Sequence, residues 1–473
     1  MKFCKIKEYV NGRSCAVLGL GVSNLPLVRM LAHEGVSVTV YDKCSPEELG
    51  KDALELLQGG VRFVVCDKNF DGITEQLIFR SPGIRPDIRG IKNALSSGAE
   101  LTSEMELFLK LTPARTFAIT GSDGKTTSTT LTGLFEERIA KTYVGGNIGT
   151  PLLDKCEQMT ATQNAVLELS SFQLMTLSAA PERVAITNVS PNHLDWHTGM
   201  DEYITAKKNI IGSRTRRLVT NAECDTTRNI AYEYDRDGME IFLFSSSKVS
   251  YDQVVSVPFS HAKAFAIFPL DGYVCVSDGQ ITKKVLDISR IKLPGKHNVE
   301  NYMTAIGLTF GDLTFDVYLD IAESFGGVEH RLEWVRQLDG VDYYNSSIDS
   351  SPTRTSAALS ALASRRIVLI CGGYDKKIPY APLAEAICAH GGIHTVVLTG
   401  ATGEKIGAEI DKLDTSRSIN REYVGDFADA VAYARSQAKA GDCVLLSPAS
   451  ASFDAFKNFA ERGNTFKRIV NEF

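Results

Sequence analysis

The chain has 473 residues, which is room for roughly three domains of ordinary size. Apolar residues make up 44% and charged residues 23%, excluding a disordered polymer, and a formal net charge of -6 with no basic run excludes a nucleic-acid-binding face. The ten cysteines form no CxxC pair, as a zinc ribbon or redox motif would need, and there is no signal-like leader and no apolar run of about 18 residues. A soluble protein of the reducing cytoplasm, without membrane insertion, is the expectation.

Residues 14–42, SCAVLGLGVSNLPLVRMLAHEGVSVTVYD, read as strand, glycine-rich turn, amphipathic helix and second strand, which is one βαβ unit. Strand-like runs follow at 61–65 and 76–83, and a helical pattern covers 98–115, with a domain boundary near 103. A second block opens with the strand TFAIT, a glycine-containing loop and a helix starting near Thr126. Its later strands fall at 165–169, 183–190 and 216–223. From 224 to 292 the pattern breaks into short β-like pieces, which predicts an appended antiparallel sheet. A helix resumes at GKHNVENYMTAIGLTF, and GGVEHRLEWV at 326–335 reads as a hinge. The last block alternates strands at 365–373, 394–400 and 442–450 with helices. Strands alternating with helices predict α/β architecture with mostly parallel sheets.

The loop Gly121-Ser122-Asp123-Gly124-Lys125-Thr126-Thr127 lies between a strand and a helix. Its glycines let backbone N–H groups converge on phosphate, the helix N-terminus adds partial positive charge, Lys125 supplies a cation, and a Thr126 or Thr127 hydroxyl can reach Mg²⁺. ATP or GTP is the expected ligand, although the eight-residue Walker pattern wants a glycine where Ile119 stands. Glu168 ends an apolar strand and reads either as a Mg²⁺ ligand or as a strand acid paired with a cation. His193, with Asn192, Asp195 and His197, follows another strand and reads either as a metal or phosphate contact or as an ordinary turn residue. Asn147 lies in the bend YVGGNIGTP, which is a side-chain donor site or a simple turn. Gly19, Gly21 and Asp42 give a partial dinucleotide fingerprint with Asn24 in place of its third glycine. An NAD-linked dehydrogenase, or any protein holding a nucleotide diphosphate, fits that turn.

Taken in order, GSDGKTT, GGNIGTP, LELSSFQL, NHLDWH, KHNVEN, EHRLEWV and LLSPASASFDAFKNFAERG resemble the motifs of the Mur ligase family of ATP-dependent amide-forming enzymes, from about residue 14 to the C-terminus. The resemblance implies three domains: a Rossmann-like UDP-sugar domain over 1–103, a central P-loop ATPase-type domain over 104–327, and a Rossmann-like amino-acid domain over 328–473. The family has the short form of the phosphate loop, so Ile119 is in pattern. ATP would be held by Gly121 to Thr127, with Asn298 and Arg331. Thr126, Glu168, His193 and Lys207 would hold two Mg²⁺, Lys207 as a CO₂-derived carbamate. Lys125, Glu168, His193 and Lys207 would form the catalytic set. Val22, Ser23, Asp42, Lys43, Gly83 and Asn147 would hold the UDP-sugar. Lys376, Ser452 and Phe459 would hold the amino acid, and His330 would sit with Arg331 at the hinge. The implied substrates are UDP-N-acetylmuramoyl-L-alanine and D-glutamate, the implied product a precursor for the cell wall, and the implied assembly a monomer.

Three positions, in two places, depart from the family pattern. Many members carry Asn-Asp-Ser-Lys where this chain has Asn345-Ser346-Ser347-Ile348, and Asn192 stands where an Asp is frequent. A ligase adding another amino acid, a folate-modifying relative, or a P-loop regulatory protein without ligase chemistry are the alternatives.

Overall fold

The computed structural model describes residues 4–194, 196–293, 295–376 and 378–473; Asp195 lies outside them. Three sheets organise the chain. The first contains β1 (Cys15–Leu18), β2 (Val38–Asp42), β3 (Arg62–Val65), β4 (Leu77–Arg80) and β5 (Glu100–Thr102), in the order β3-β2-β1-β4-β5 and all parallel. The strand order reverses direction at β1, so the loops after β1 and β4 meet at a topological switch point. The segment 98–115 is not one helix: β5 comes first, and the helix Glu104–Leu111 starts behind Ser103, whose side chain accepts the Glu106 N–H. The strand is favoured there because it continues the sheet beside β4.

The second sheet contains β6 (Arg115–Thr120), β7 (Thr142–Gly146), β8 (Asn164–Glu168), β9 (Arg183–Ile186), β10 (Arg217–Asn221), β11 (Glu240–Phe244), β12 (Lys263–Leu270), β13 (Tyr273–Ser277) and β14 (Thr282–Asp287). Its order is β14-β13-β12-β11-β10-β9-β6-β8-β7. From β7 to β12 neighbours are parallel, and the β12–β13 and β13–β14 pairs are antiparallel. The antiparallel strands therefore extend the central sheet instead of forming a separate one. The stretch 224–292 also holds the helix Asp225–Glu233, and β11 and β12 run parallel to the rest. Phe117, Ala118 and Ile119 of β6 are fully buried, as a central strand covered on both faces requires.

The third sheet contains β15 (Glu333–Leu338), β16 (Val341–Asn345), β17 (Arg366–Gly372), β18 (Ile393–Thr399), β19 (Asn420–Tyr423) and β20 (Asp442–Leu446), in the order β15-β16-β20-β17-β18-β19. Only the β15–β16 pair among these is antiparallel. Apolar clusters lie on both faces of this sheet, one around Leu369 and Leu445 and the other around Val368 and Val444, because successive side chains of a strand point to opposite faces. The chain divides into two compact units, Met1–Arg290 with Lys296–Ala322, and Ile291–Gly295 with Glu323–Phe473. The first contains the first two sheets and the second contains the third.

Candidate active site

Strand register assembles the phosphate-loop region. Ile119 pairs with Glu168 across β6–β8, Thr120 with Ile186 across β6–β9, and Gly146 with Glu168 across β7–β8. The C-terminal ends of four parallel strands thus lie side by side, which is where open α/β sheets bind ligands. Ile119 is still strand, and the turn begins only at Gly121. No glycine is needed at 119 because the backbone there is extended and buried.

Gly121 has φ of 149° and Gly124 φ of 77°. A Cβ on Gly121 would lie 1.8 Å from Thr187 Oγ1, and one on Gly124 would lie 2.4 Å from Asn301 Oδ1. Both conformation and space therefore require glycine. The segment after β9 braces the loop: Ser122 N–H donates to the Asn188 carbonyl at 3.0 Å, Asp123 N–H to Asn188 Oδ1 at 2.9 Å, and Thr187 Oγ1 to the Asp123 carbonyl at 2.6 Å. Ser122 Oγ lies 3.0 Å from the Tyr203 hydroxyl. Lys125, Thr126 and Thr127 open the helix Lys125–Glu137. Asn298 is buried on the neighbouring helix and accepts from Asn301 Nδ2 at 3.1 Å.

Two lysines meet on one oxygen of this loop. Lys125 Nζ donates to the Gly121 carbonyl at 3.0 Å and Lys207 Nζ donates to the same carbonyl at 2.7 Å. Lys207 is 1% exposed, on the helix Met200–Lys208, with its Nζ 4.5 Å from the Tyr203 ring centroid. Burial, and then the Lys125 charge, lower its pKa to about 7. A second ammonium beside the first, away from water, is disfavoured for both reasons.

Glu168 is 2% exposed. Its Oε1 accepts from Asn147 Nδ2 at 2.8 Å, its backbone carbonyl accepts the Asn147 N–H at 2.7 Å, and its Oε2 has no hydrogen-bond partner among the described residues. An uncompensated buried carboxylate oxygen is expensive, so Glu168 is not the cation-paired strand acid that was one reading of it. A hard divalent cation suits that oxygen. Among the described residues no three His, Cys, Asp or Glu side chains meet as a ready-made cage, and Mg²⁺ ordinarily takes only one or two carboxylates beside phosphate oxygens and water. The residues present fit it on that basis. His193 is exposed with φ of 54°, its ring 4.9 Å from that of Phe172, just beyond Glu168. His197 is instead buried between Ser171 Oγ at 2.9 Å and Glu202 at 3.1 Å, a structural position.

The switch point of the first sheet gathers Val22 and Ser23 after β1, Asp42 and Lys43 at the end of β2, and Gly83 after β4. Asp42 Oδ2 accepts the Leu20 N–H at 2.8 Å, so this carboxylate shapes the β1 turn directly. Asn24 Nδ2 donates to the Gly19 carbonyl at 2.8 Å, giving the same turn an amide tether where the dinucleotide pattern has a glycine. Asn147 follows β7 of the central sheet and lies beside Glu168. One residue absent from the sequence reading joins the two regions. Arg80, 1% exposed, donates to the carbonyls of Pro82 and Ile84 at 3.0 and 2.6 Å, and to the Phe172 carbonyl and Thr176 Oγ1 at 2.8 and 3.2 Å. An arginine closing a buried strand with no acid nearby in sequence was the available signal.

In the third sheet's unit, Arg331 is exposed and follows buried His330. Lys376 is exposed and donates to the Ser350 carbonyl at 3.4 Å. Ser452 is buried, and Phe459 starts the C-terminal helix with its ring 6.0 Å from that of His330. A cavity of about 310 Å³ lies at the ends of β17, β18 and β20, lined by Gly373, Thr399, Asp454 and Arg462 among others, but not by Lys376, Ser452 or Phe459.

Fold and site define an α/β protein of the P-loop ATPase type, with a buried carboxylate and a buried lysine beside its phosphate loop. Residues 119–309 match the Mur ligase middle domain and residues 330–450 the Mur ligase glutamate ligase domain. The chain is 41% identical to the UDP-N-acetylmuramoylalanine--D-glutamate ligase of Ruminiclostridium cellulolyticum, covering 99% of both chains. It is 42% identical to the enzymes of the same name from Clostridium novyi and Acetivibrio thermocellus, over 99% of this chain and 99% and 98% of theirs. Among solved structures it resembles the UDP-N-acetylmuramate-alanine ligase of Thermotoga maritima, with TM-score 0.53, 18% identity, and 97% and 99% of the two chains covered. The chain belongs to the Mur ligase family and is an ATP-dependent, amide-forming ligase of peptidoglycan precursor synthesis.

Proposed function

We propose that this enzyme joins D-glutamate to UDP-N-acetylmuramoyl-L-alanine. The observation that carries the reading is similarity at 41–42% identity, over 99% of the chain, to ligases bearing that name. The γ-phosphoryl group of ATP passes to the alanyl carboxylate, giving an acyl phosphate and ADP. The D-glutamate nitrogen then attacks the carbonyl carbon, loses a proton, and expels phosphate. Phosphorylation is needed because a free carboxylate at neutral pH has no adequate leaving group.

Residues 1–103 would bind the UDP-sugar through Val22, Ser23, Asp42, Lys43 and Gly83, with Asn147 contributing from the central sheet. Residues 104–327 would bind ATP on Gly121 to Thr127 and Asn298. Residues 328–473 would bring Arg331 to the nucleotide, and Lys376, Ser452 and Phe459 to D-glutamate. Lys125 neutralises charge on the transferring phosphoryl group. Thr126, Glu168, His193 and the modified Lys207 would hold Mg²⁺ at two sites, where the metal supplies charge neutralisation. Lys207 suits modification chemically. With its pKa at about 7, much of the amine is neutral near pH 7 and can add to CO₂, forming an N–C bond and releasing a proton. The resulting anion replaces a cation that opposes Lys125. The reading takes the enzyme as a monomer of the cytoplasm, where ATP is available; sedimentation of the purified protein tests the first point.

The deciding measurement is phosphate release from UDP-N-acetylmuramoyl-L-alanine, ATP and Mg²⁺ with a panel of amino acids. D-glutamate alone should sustain turnover. Turnover with L-lysine or meso-diaminopimelate in its place would sink the assignment, and phosphate release needing no amino acid would favour a nucleotide switch.

A further inference from the structure

Arg85 stands two residues past Gly83, in the loop after β4 of the first sheet, and its guanidinium engages the second-sheet segment that carries His193. Nη1 donates to the Trp196 carbonyl at 2.6 Å and to Glu202 Oε2 at 3.2 Å, and Nη2 donates to Glu202 Oε1 at 2.9 Å. Nε and Nη2 also donate to the Asp87 carboxylate, at 2.9 and 3.0 Å. Every N–H group of the guanidinium thus has an acceptor. The charged group lies 5.0 Å from the Trp196 ring centroid, and Trp196 Nε1 donates back to the Gly83 carbonyl at 3.3 Å. The Arg85 and Glu202 side chains are only 22% and 19% exposed. A forked pair inside such a network holds its geometry, as an isolated surface ion pair does not.

Glu202 passes the restraint on. It belongs to the helix Met200–Lys208, which carries Lys207. Its Oε2 accepts the Thr198 N–H at 2.9 Å and, because a carboxylate only accepts, the His197 Nδ1–H at 3.1 Å. His197 Nε2 meets Ser171 Oγ at 2.9 Å, at the start of the helix Ser171–Leu174 just after Glu168. The same group fixes His193. Its carbonyl accepts the N–H groups of Trp196 and His197 at 3.1 and 2.9 Å. The rings of His193, Trp196 and His197 all pack on Phe172, with centroids at 4.9, 4.5 and 5.7 Å. The φ of 54° at His193 is one that a residue with a Cβ keeps only where surrounding bonds hold it. Glu168, His193 and Lys207 lie on three separate segments, and this one network ties all three to the loop of Gly83.

We propose that Arg85 is a positioning residue that joins the sugar-nucleotide loop to the residues that hold Mg²⁺, so that substrate bound on the first sheet and metal bound on the second keep a fixed relation. This rests on the readings that Gly83 contacts the UDP-sugar and His193 the metal, and the experiment separates them. Phosphate release gives KM for UDP-N-acetylmuramoyl-L-alanine, KM for D-glutamate, and the free Mg²⁺ concentration for half the maximal rate at saturating ATP. The full-length enzyme is compared with Arg85→Met, Glu202→Gln, their double variant, Gly83→Ala and His193→Ala. Arg85→Met keeps most of the volume and removes the donors, and Glu202→Gln keeps the shape and removes the charge. Each should raise both KM for the UDP-sugar and the Mg²⁺ requirement about tenfold, the effect of losing one charge-assisted contact, with KM for D-glutamate within about twofold of wild type. The double variant should be no worse than Arg85→Met, since both changes break one link. A rise in only one of the two quantities, or effects that multiply in the double variant, would overturn the coupling. So would a fall in kcat with every half-saturation value unchanged, which is what partial unfolding produces. A Cβ at Gly83 meets no neighbour within 4 Å, so Gly83→Ala obstructs only what binds there. If it leaves KM for the UDP-sugar unchanged, or if His193→Ala leaves the Mg²⁺ requirement unchanged, the corresponding reading is wrong and the proposal falls with it. If both of these variants act as expected and Arg85→Met does not, the role of Arg85 is overturned while the two readings stand.

Discussion

At the scale of single residues, burial decides the chemistry. Lys207 is unremarkable in sequence, a lysine in a helix with Lys208 beside it, and one helical turn from solvent it would be an ordinary cation. Folding places it against the Gly121 carbonyl and beside Lys125. Lys207→Ala should lower the rate of phosphate release by roughly a hundredfold or more, the scale seen when one electrostatic group of a catalytic site is removed, and added bicarbonate should not restore it. Wild-type-like turnover would remove the modified lysine from the mechanism. A second buried group acts on stability. Glu104 is 5% exposed, with Oε1 unpartnered among the described residues, and burial, with the nearby Asp154 charge, raises its pKa to about 7 against an ordinary 4.5. The folded state therefore holds a proton that the unfolded chain has lost between those values. Its contribution is present in full below about pH 4.5 and is lost as pH rises through 7, a change on the order of 3 kcal/mol. Glu104→Gln should raise the urea midpoint at pH 8 and flatten its slope between pH 5 and 8. A slope equal to that of wild type would mean another group titrates.

Elements explain why the phosphate loop is short. The strand β6 runs on through Ile119, so the turn has to be completed between Gly121 and Gly124, and the second-sheet segment Thr187–Ser190 fills the space beside it. Gly121→Ala would put a methyl group into Thr187 Oγ1, and the loop would have to move away from the position that its hydrogen bonds to Asn188 and Ser190 define. KM for ATP should rise more than tenfold, or turnover should vanish, and the melting temperature should fall by several degrees, since the strain falls on a buried glycine. An unchanged KM would show that the backbone N–H groups of this loop do not hold the nucleotide. The same level shows why the stretch 224–292 was hard to read. Its strands are short and interrupted by polar residues, a pattern common to parallel edge strands and antiparallel hairpins alike, and only the pairing of β11 with β10 and of β12 with β11 makes these two strands parallel.

In the whole molecule, Arg80 links two sheets of one compact unit. Its guanidinium holds the loop of Gly83 on one side and the helix Ser171–Leu174, immediately after Glu168, on the other. Arg80→Met keeps most of the volume and removes the donors, leaving several carbonyls without a partner. KM for the UDP-sugar substrate should rise roughly fivefold to fiftyfold, equivalent to about 1–2 kcal/mol, while KM for ATP stays within about twofold of wild type. A fall in kcat with both KM values unchanged would assign Arg80 to general stability instead of to the coupling of the two regions.

Local chemistry was legible in the sequence: alternating strands and helices, a glycine loop that can bend only one way, a lysine and hydroxyls at a helix start, and a carboxylate at the end of an apolar strand. These follow from residue type and spacing, because backbone freedom and side-chain donors are properties of a few adjacent residues. Which distant groups share a low-dielectric space was not. Lys207 lies 86 positions from Gly121, and Arg80 lies 92 from Phe172. Desolvation and charge pairing depend on distance in space, so the tertiary structure alone decided them.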